Sequence, residues 1–181
     1  MRVIEDVDQW FVELYDQHRG LVFSAALRLS GARGDAEDLA AEAFLRAYRA
    51  ASGYGEERRA ALRTRAWIMT ILMNVWRNHL RAVARRPPPD PLDDAADPPD
   101  AAESVEQAVE RQETSGELAA LLRRLPENQR EAVVLRHVGG LSIGEIAEAL
   151  GVAEGTAKSH VSRGLSRLRA LAAGLDQGGF R

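Results

Sequence analysis

Apolar residues recur every three or four positions along most of the chain, the spacing that places them on one face of an α-helix. It predicts helices over residues 7–30, 35–51, 60–84 and 104–124, with a further helix in which Pro126 occupies the first turn. The sequence therefore predicts an all-α fold.

The last part of the chain has the strongest local pattern. Ser142, followed three residues later by Glu145, predicts a capping box at the start of a helix. Gly151 stands where that helix would end in a left-handed residue, and a second helix is predicted from about Glu154. A short helix, a glycine-opened turn and a longer basic helix form a helix-turn-helix, whose second helix enters the DNA major groove.

This second helix is predicted to have an apolar side and a polar, basic side. Small hydroxyls allow close approach to a groove, and lysine and arginine reach base edges or phosphates. The alternative is a helical hairpin with a solvated basic face. The polar side carries Thr156, Lys158, Ser159, His160, Ser162, Arg163, Ser166, Arg167 and Arg169, and the apolar side carries Ala157, Val161, Gly164, Leu165 and Leu168.

The helix predicted over 60–84 is also two-sided. Arginine and asparagine beside an aromatic residue suit phosphate contact and stacking on unpaired bases. The alternative for Trp67 is that it covers an edge of the domain. The predicted polar side carries Trp67, Thr70, Asn74, Arg77, Asn78, Arg81 and Arg85, and the predicted buried stripe carries Ile68, Ile71, Leu72, Val75, His79 and Val83.

Charge is distributed unevenly along the chain, whose formal net charge is −3. Residues 87–103 contain six acids, six of the seven prolines and no basic residue, which predicts an extended acidic linker. Residues 58–86 contain eight arginines and no acid, an asymmetry that favours an anionic partner. We therefore expect an N-terminal domain over 1–86, the linker, and a C-terminal domain over 104–181.

Other classes of protein lack support in the sequence. The absence of cysteine excludes disulfides and thiolate metal sites, and the four histidines show no metal-ligand spacing. No nucleotide-binding loop or nucleophile motif occurs, so no catalytic residue, cofactor or metal is expected. No apolar segment could span a bilayer and no signal peptide is evident, so a cytoplasmic protein without membrane insertion is expected.

Three segments together resemble the extracytoplasmic-function (ECF) sigma factors of bacterial RNA polymerase. DAEDLAAEAFLRAYRA resembles the family's polymerase-docking segment, and RAWIMTILMNVWRNHLR resembles the segment that opens and contacts the minus-ten promoter element. LPENQREAVVLRHVGGLSIGEIAEALGVAEGTAKSHVSRGLSRLR resembles the domain that contacts the minus-thirty-five element. The chain departs from the common family pattern at Ala41, Asn78 and His160.

The resemblance implies a factor that binds core RNA polymerase and promoter DNA, is held by an anti-sigma factor and is monomeric when free. The residues that the resemblance implies for polymerase docking are Asp35, Asp38, Leu39, Glu42 and Leu45. Those implied to contact the minus-ten element are Tyr54, Arg65, Trp67, Asn74, Arg77, Asn78 and Arg81. Those implied to contact the minus-thirty-five element are Thr156, Lys158, Ser159, His160, Arg163 and Arg167.

Two alternatives belong to other functional classes. A one-component helix-turn-helix regulator would need a ligand pocket within residues 1–86 and would bind a palindromic site as a dimer. A helical adaptor would not bind DNA at all. The long arginine-rich helix is poor lining for a ligand pocket, which favours the sigma factor.

Overall fold

The computed structural model describes residues 2–85 and 116–176, with side chains described over 7–85 and 116–173. Within these ranges every regular element is a helix, as the sequence predicts. The linker 87–103 and residues 104–115 of the predicted following helix lie outside the described residues. The helices are α1 (Arg2–Ser30), α2 (Arg33–Ser52), α3 (Glu56–Ala60), α4 (Thr64–Ala84), α5 (described over 116–123), α6 (Glu127–His137), α7 (Ile143–Leu150) and α8 (Glu154–Asp176).

Helices α1, α2 and α4 pack on one another to form the N-terminal unit. Leu14, Ala25 and Leu29 of α1 are buried, as their spacing predicts. His18, on the same helix, is 7% exposed, and its Nε2 lies 3.0 Å from the hydroxyl of Thr64 at the start of α4. Burial lowers the pKa of His18, with the charge of Arg65 acting in the same direction, so the neutral ring is favoured at this junction.

Two helices of the N-terminal unit begin at other residues than predicted. The helix predicted over 60–84 is confirmed as α4, but it begins at Thr64, and residues 56–60 form the separate short helix α3. Helix α2 begins at Arg33, before the predicted start at 35, with Ala32 as its N-cap and Asp35 in its first turn.

The buried face of α4 also differs from the predicted stripe. Ile68, Leu72 and Val75 are buried as expected, but Val83 is 47% exposed. The core instead takes in residues on a neighbouring side of the helix, because α4 meets α1 and α2 on one side and α7 on another. The additional buried side chains are Met69, Met73 and Trp76.

The C-terminal unit confirms the predicted helix-turn-helix. The Ser142 amide donates to the Glu145 carboxylate at 2.9 Å, and the Glu145 amide donates to the Ser142 hydroxyl at 3.2 Å. The hydrogen bond from the Ser142 backbone lowers the pKa of the Glu145 carboxyl, and the charge of Arg63 acts in the same direction. Gly151 ends α7 with a φ of 66°, and α8 begins at Glu154. Pro126 is the N-cap of α6, one position before its predicted place.

Helix α8 lies unusually close to α6 at Gly164. A β-carbon at this glycine would stand 2.6 Å from Cγ2 of Val133 and 3.2 Å from the carbonyl oxygen of Gln129. The absent side chain therefore allows the two helices to approach. This contact holds the helix predicted to bind DNA against the rest of its unit.

The two units also pack directly against each other. Helix α4 contacts α7, and α1 contacts α6. Buried residues of both units form one continuous cluster that includes Leu72 on one side and Val134 on the other. The units therefore meet through a shared apolar contact as well as through the polar contacts described below.

We predict that Gly164→Ala destabilises the protein by about 1–3 kcal/mol, since a methyl group there must displace Val133 or the backbone of α6. Gly155→Ala is the matched control, because no heavy atom lies within 4 Å of its added β-carbon. It should leave stability unchanged or raise it by up to about 1 kcal/mol. Chemical denaturation of both variants measures the difference. Equal stability of the two variants would contradict the close approach of α8 and α6.

Candidate nucleic-acid interface

The outer side of α8 presents the predicted polar face to solvent. Thr156, Lys158, Arg163 and Arg167 are exposed, whereas Ala157 is fully buried on the opposite side. The only hydrogen bond found for the Arg163 side chain within the described residues is a long one, 3.4 Å from its Nε to the carbonyl of Ser159. Its guanidinium can therefore turn toward a ligand at little cost.

Ser159 and His160 are half-buried at the edge of this face. The Nδ1 atom of His160 is buried and has no hydrogen-bond partner among the described residues. A ring whose Nδ1 faces inward can offer only its other edge to DNA. His160 therefore differs from the exposed basic residues of α8 as a candidate contact.

A second polar face runs along α4. Asn74, Asn78 and Arg81 are exposed, and Arg65 is exposed near the start of the helix. Arg81 donates a hydrogen bond of 2.8 Å to the Asn78 side-chain oxygen and one of 3.2 Å to the carbonyl of Arg77. Basic and amide groups on one exposed surface suit a phosphate backbone and base edges.

Trp67 belongs to an aromatic cluster at the start of α4. It lies edge-on to Trp10 and tilted against Tyr54, with ring centroids 6.1 Å apart in both pairs. Arg58 places its guanidinium carbon 3.8 Å from the centroid of the Tyr54 ring. Trp67 is half-buried and packs on the core, yet keeps an accessible part. This position is compatible with both alternatives that the sequence leaves open, a domain edge and a stacking surface.

Arg77 is not available on this face in the structure. Its Nε and one terminal nitrogen donate to the two carboxylate oxygens of Glu131 at 3.0 and 2.8 Å. Its terminal nitrogens also lie 3.4 and 3.5 Å from the carbonyl of Leu150 at the end of α7. The hydrogen bonds to Glu131 raise the pKa of Arg77, so the guanidinium stays charged. Arg77, predicted to contact the minus-ten element on the same side of the helix as Asn74, is therefore held by the C-terminal unit in this conformation.

The outer face of α2 carries most of the residues implied in docking. Asp35, Asp38 and Leu45 are exposed. Glu42 is partly exposed and pairs with Arg46 at 2.6 Å. Leu39 is only 3% exposed and lies in the core between the helices, so its side chain does not form part of the exposed docking face in this conformation.

An open groove between α1 and α2 adjoins this face. Aromatic side chains line it in edge-on contact, with ring centroids 5.1 Å apart for Phe11 and Tyr48 and 4.8 Å apart for Tyr15 and Phe44. Leu45 and Ala41 lie on the α2 side. The sequence does not reveal this groove, because helical spacing alone does not show which apolar residues of two helices remain uncovered.

Within residues 7–85 and 116–173, no three acidic or histidine side chains are grouped so as to hold a metal ion. Among the described helices, none has the length and apolar character needed to cross a membrane.

Two family models match the chain in order. Residues 14–86 match Sigma-70 region 2, and this range includes Tyr54, Trp67 and the polar face of α4. Residues 115–168 match Sigma-70, region 4, which covers the helix-turn-helix.

Relatives match over most of the chain. The ECF RNA polymerase sigma factor SigM of Mycobacterium tuberculosis is 34% identical over 168 residues, covering 93% of this chain and 80% of SigM. SigE of Mycolicibacterium smegmatis, another ECF RNA polymerase sigma factor, is 35% identical over 162 residues, covering 87% of this chain but only 59% of SigE.

A solved structure has a similar fold. It is the sigma factor RpoE of Bartonella quintana, in complex with the anti-sigma factor NepR. The TM-score is 0.65 at 25% identity, over 93% of this chain and 98% of the other. With both sigma regions in order and SigM matched over most of its length, the chain belongs to the family of ECF RNA polymerase sigma factors.

Proposed function

We propose that the chain directs core RNA polymerase to specific promoters, with α8 contacting the minus-thirty-five element and α4 contacting and opening the minus-ten element. The observation that carries this proposal is the presence of two exposed polar faces, one on each unit, in a chain of the sigma family. Two separate elements can specify a promoter more stringently than one. The chain would act through binding alone, in the cytoplasm, without a catalytic residue or cofactor of its own.

The face of α8 suits direct contact with duplex DNA. Thr156, Ser162 and Ser166 are small and exposed, so the helix can enter a major groove closely. Arg163 stands among them, where a guanidinium can donate two hydrogen bonds to a guanine edge. We assign Lys158 and Arg167 mainly to phosphates, with Ser159 and His160 at the margin of the contact.

The start of α4 suits DNA that has been opened. Unpaired bases stack on aromatic rings, and Trp67 and Tyr54 present neighbouring rings, with the exposed amide of Asn74 further along α4. Arg65, Asn78 and Arg81 can hold the adjoining backbone. Arg77 can join them only after it leaves Glu131.

For polymerase docking we propose the exposed face of α2, formed by Asp35, Asp38, Glu42 and Leu45. An acidic patch beside an apolar groove offers a partner both charge complementarity and a surface to bury. Leu39 supports this face from the core. Because RpoE of Bartonella quintana is bound by an anti-sigma factor, we further propose that an anti-sigma factor regulates this chain, which is otherwise monomeric.

Reversing the docking charges should weaken the complex with core polymerase. We expect Asp38→Arg with Glu42→Arg to lower core affinity at least about tenfold, since the loss of two complementary charges costs more than 1.4 kcal/mol. Glu56→Arg with Glu57→Arg on α3 makes the same change of net charge away from the patch and is the control. Fluorescence anisotropy of labelled protein with core measures both. If both double variants bound core with equal affinity, Asp38 and Glu42 would not contact core and would only interact favourably with the dipole of α2.

Removing the Arg163 side chain should relax promoter preference at one position of the upstream element. If Arg163 contacts a base edge, Arg163→Ala should cost about 1–3 kcal/mol on the preferred sequence and much less on variants of that base pair. Lys158→Ala is the comparison, because loss of a phosphate contact weakens all sequences alike. Holoenzyme binding to a panel of single-base variants separates the two patterns. A uniform loss for Arg163→Ala would make it a phosphate contact.

Removing the Asn74 side chain should impair promoter opening more than promoter binding. Asn74 is exposed, so Asn74→Ala should leave folding intact, and Asn128→Ala on α6 is a matched exposed control. Trp67→Ala should show the same opening defect with an added loss of stability, because the ring also packs on Trp10. Permanganate reactivity of unpaired thymines measures opening. A template already melted over its minus-ten element should rescue Asn74→Ala, and equal defects on both templates would contradict the assignment.

A further inference from the structure

The contact between the two units centres on a buried ion pair. Glu131 of α6 is 3% exposed and receives both of its hydrogen bonds from Arg77 of α4. The carbonyl of Leu150 lies against the same guanidinium. The three nitrogens of Arg77 thus all face acceptors of the C-terminal unit.

Further polar contacts surround this pair. The indole of Trp76 donates to Glu127, and Arg130 lies over the Trp76 ring at 5.7 Å while donating to the carbonyl of Leu29 at 2.9 Å. At the other end of the interface, Arg63 lies 3.0 Å from Glu145. Its guanidinium also lies 3.8 Å from Glu148. The ion pairs of the interface join basic residues of α4 and the turn before it to acidic residues of α6 and α7.

The two units can separate at such an interface more readily than a domain core can open. A buried carboxylate without a partner is strongly unfavourable, so Glu131 requires Arg77 as long as the units are packed together. When the units separate, water reaches both charges and repays much of the lost attraction. The Nε edge of Arg77 binds Glu131 and its terminal nitrogens face the carbonyl of Leu150, so a phosphate must displace one of these acceptors to bind the guanidinium. DNA and the C-terminal unit are therefore competing ligands for one guanidinium.

We propose that the free chain has a closed state in which its own C-terminal unit occupies part of the minus-ten face, with Arg77–Glu131 as the latch. This inference rests on the proposed role of α4 in minus-ten contact. The partner on this surface is a segment of the same chain, α6 with the end of α7. Glu131 stands there in the place of a DNA phosphate.

The closed state leaves the other DNA-binding face uncovered. Thr156, Lys158 and Arg163 of α8 remain exposed while Arg77 is held. The latch thus suppresses minus-ten contact by the free chain without covering the upstream face. Binding partners that separate the units would release Arg77 for the promoter.

The absence of cysteine makes a direct test simple. Spin labels at Gly20→Cys and Ala172→Cys report the distance between the units, since both sites are exposed and Gly20 has no neighbour that an added side chain would meet. Double electron–electron resonance on the full chain should give one narrow distance distribution. Glu131→Gln, which removes the latch charge, should broaden it.

A second variant that should separate the units is needed, because Glu131→Gln could instead destabilise the fold. Glu148 is exposed, and Glu148→Arg sets a positive charge against Arg63 without altering the core. It should broaden the distribution as well. Glu117→Arg adds the same charge to exposed α5 and should leave the distribution narrow.

The same variants test whether Arg77 is masked. The probe is a fluorescent single strand carrying the minus-ten sequence of a promoter that the wild-type holoenzyme transcribes. If the closed state holds nine-tenths of the molecules, Glu131→Gln should bind this strand up to about tenfold more tightly than wild type. Glu148→Arg should bind the strand more tightly than Glu117→Arg, a comparison that corrects for the added positive charge.

Three outcomes would overturn the proposal. These are a broad distribution in the wild-type chain, distributions unchanged in both opening variants, and broadened distributions without tighter DNA binding. Failure of the proposed function would show differently, as the absence of core-dependent transcription by the wild-type protein. The distance measurement does not depend on that activity.

Discussion

The rule that a buried charge needs a partner shapes how the two halves of this protein meet. Glu131 is almost fully buried, and the basic group that satisfies it, Arg77, lies on a helix of the other unit. This contact fixes α4 against α6 and the end of α7. It also couples a residue expected to touch the promoter to the packing of the whole chain. The surfaces proposed for polymerase docking, minus-ten contact and upstream contact therefore depend for their relative placement on one ion pair and the apolar cluster around it.

Local sequence signals predicted the C-terminal unit well. The capping box of Ser142 and Glu145, the left-handed Gly151 and the start of α8 are all set by residues within a few positions of one another. Such features depend on backbone hydrogen bonds inside one helix or turn, so neighbouring residues determine them. The exposed face of α8 followed from the same short-range pattern, because α6 and α7 both cover its opposite side and leave the polar side open.

Residues whose surroundings come from distant parts of the chain were predicted less well. The family resemblance places Leu39 among the docking residues, but the packing of α1 and α4 on α2 buries its side chain in the core. Met69, Met73 and Trp76 are buried because α4 has neighbours on two sides, which its own periodicity does not show. The capture of Arg77 by Glu131 joins residues 54 positions apart, with no local signal. The family could nevertheless be predicted from the sequence, since the polar faces proposed to bind DNA depend on patterns inside single helices.

The central claim is that two faces on two units jointly specify where transcription starts. Run-off transcription with core polymerase and the purified chain on fragmented genomic DNA, with start sites mapped by sequencing, tests it most directly. The account predicts core-dependent start sites that share two separated upstream elements, with the preference for the distal element altered by Arg163→Ala and opening at the proximal one impaired by Asn74→Ala. Start sites that depend on a single element, or no transcription beyond that of core alone, would contradict it.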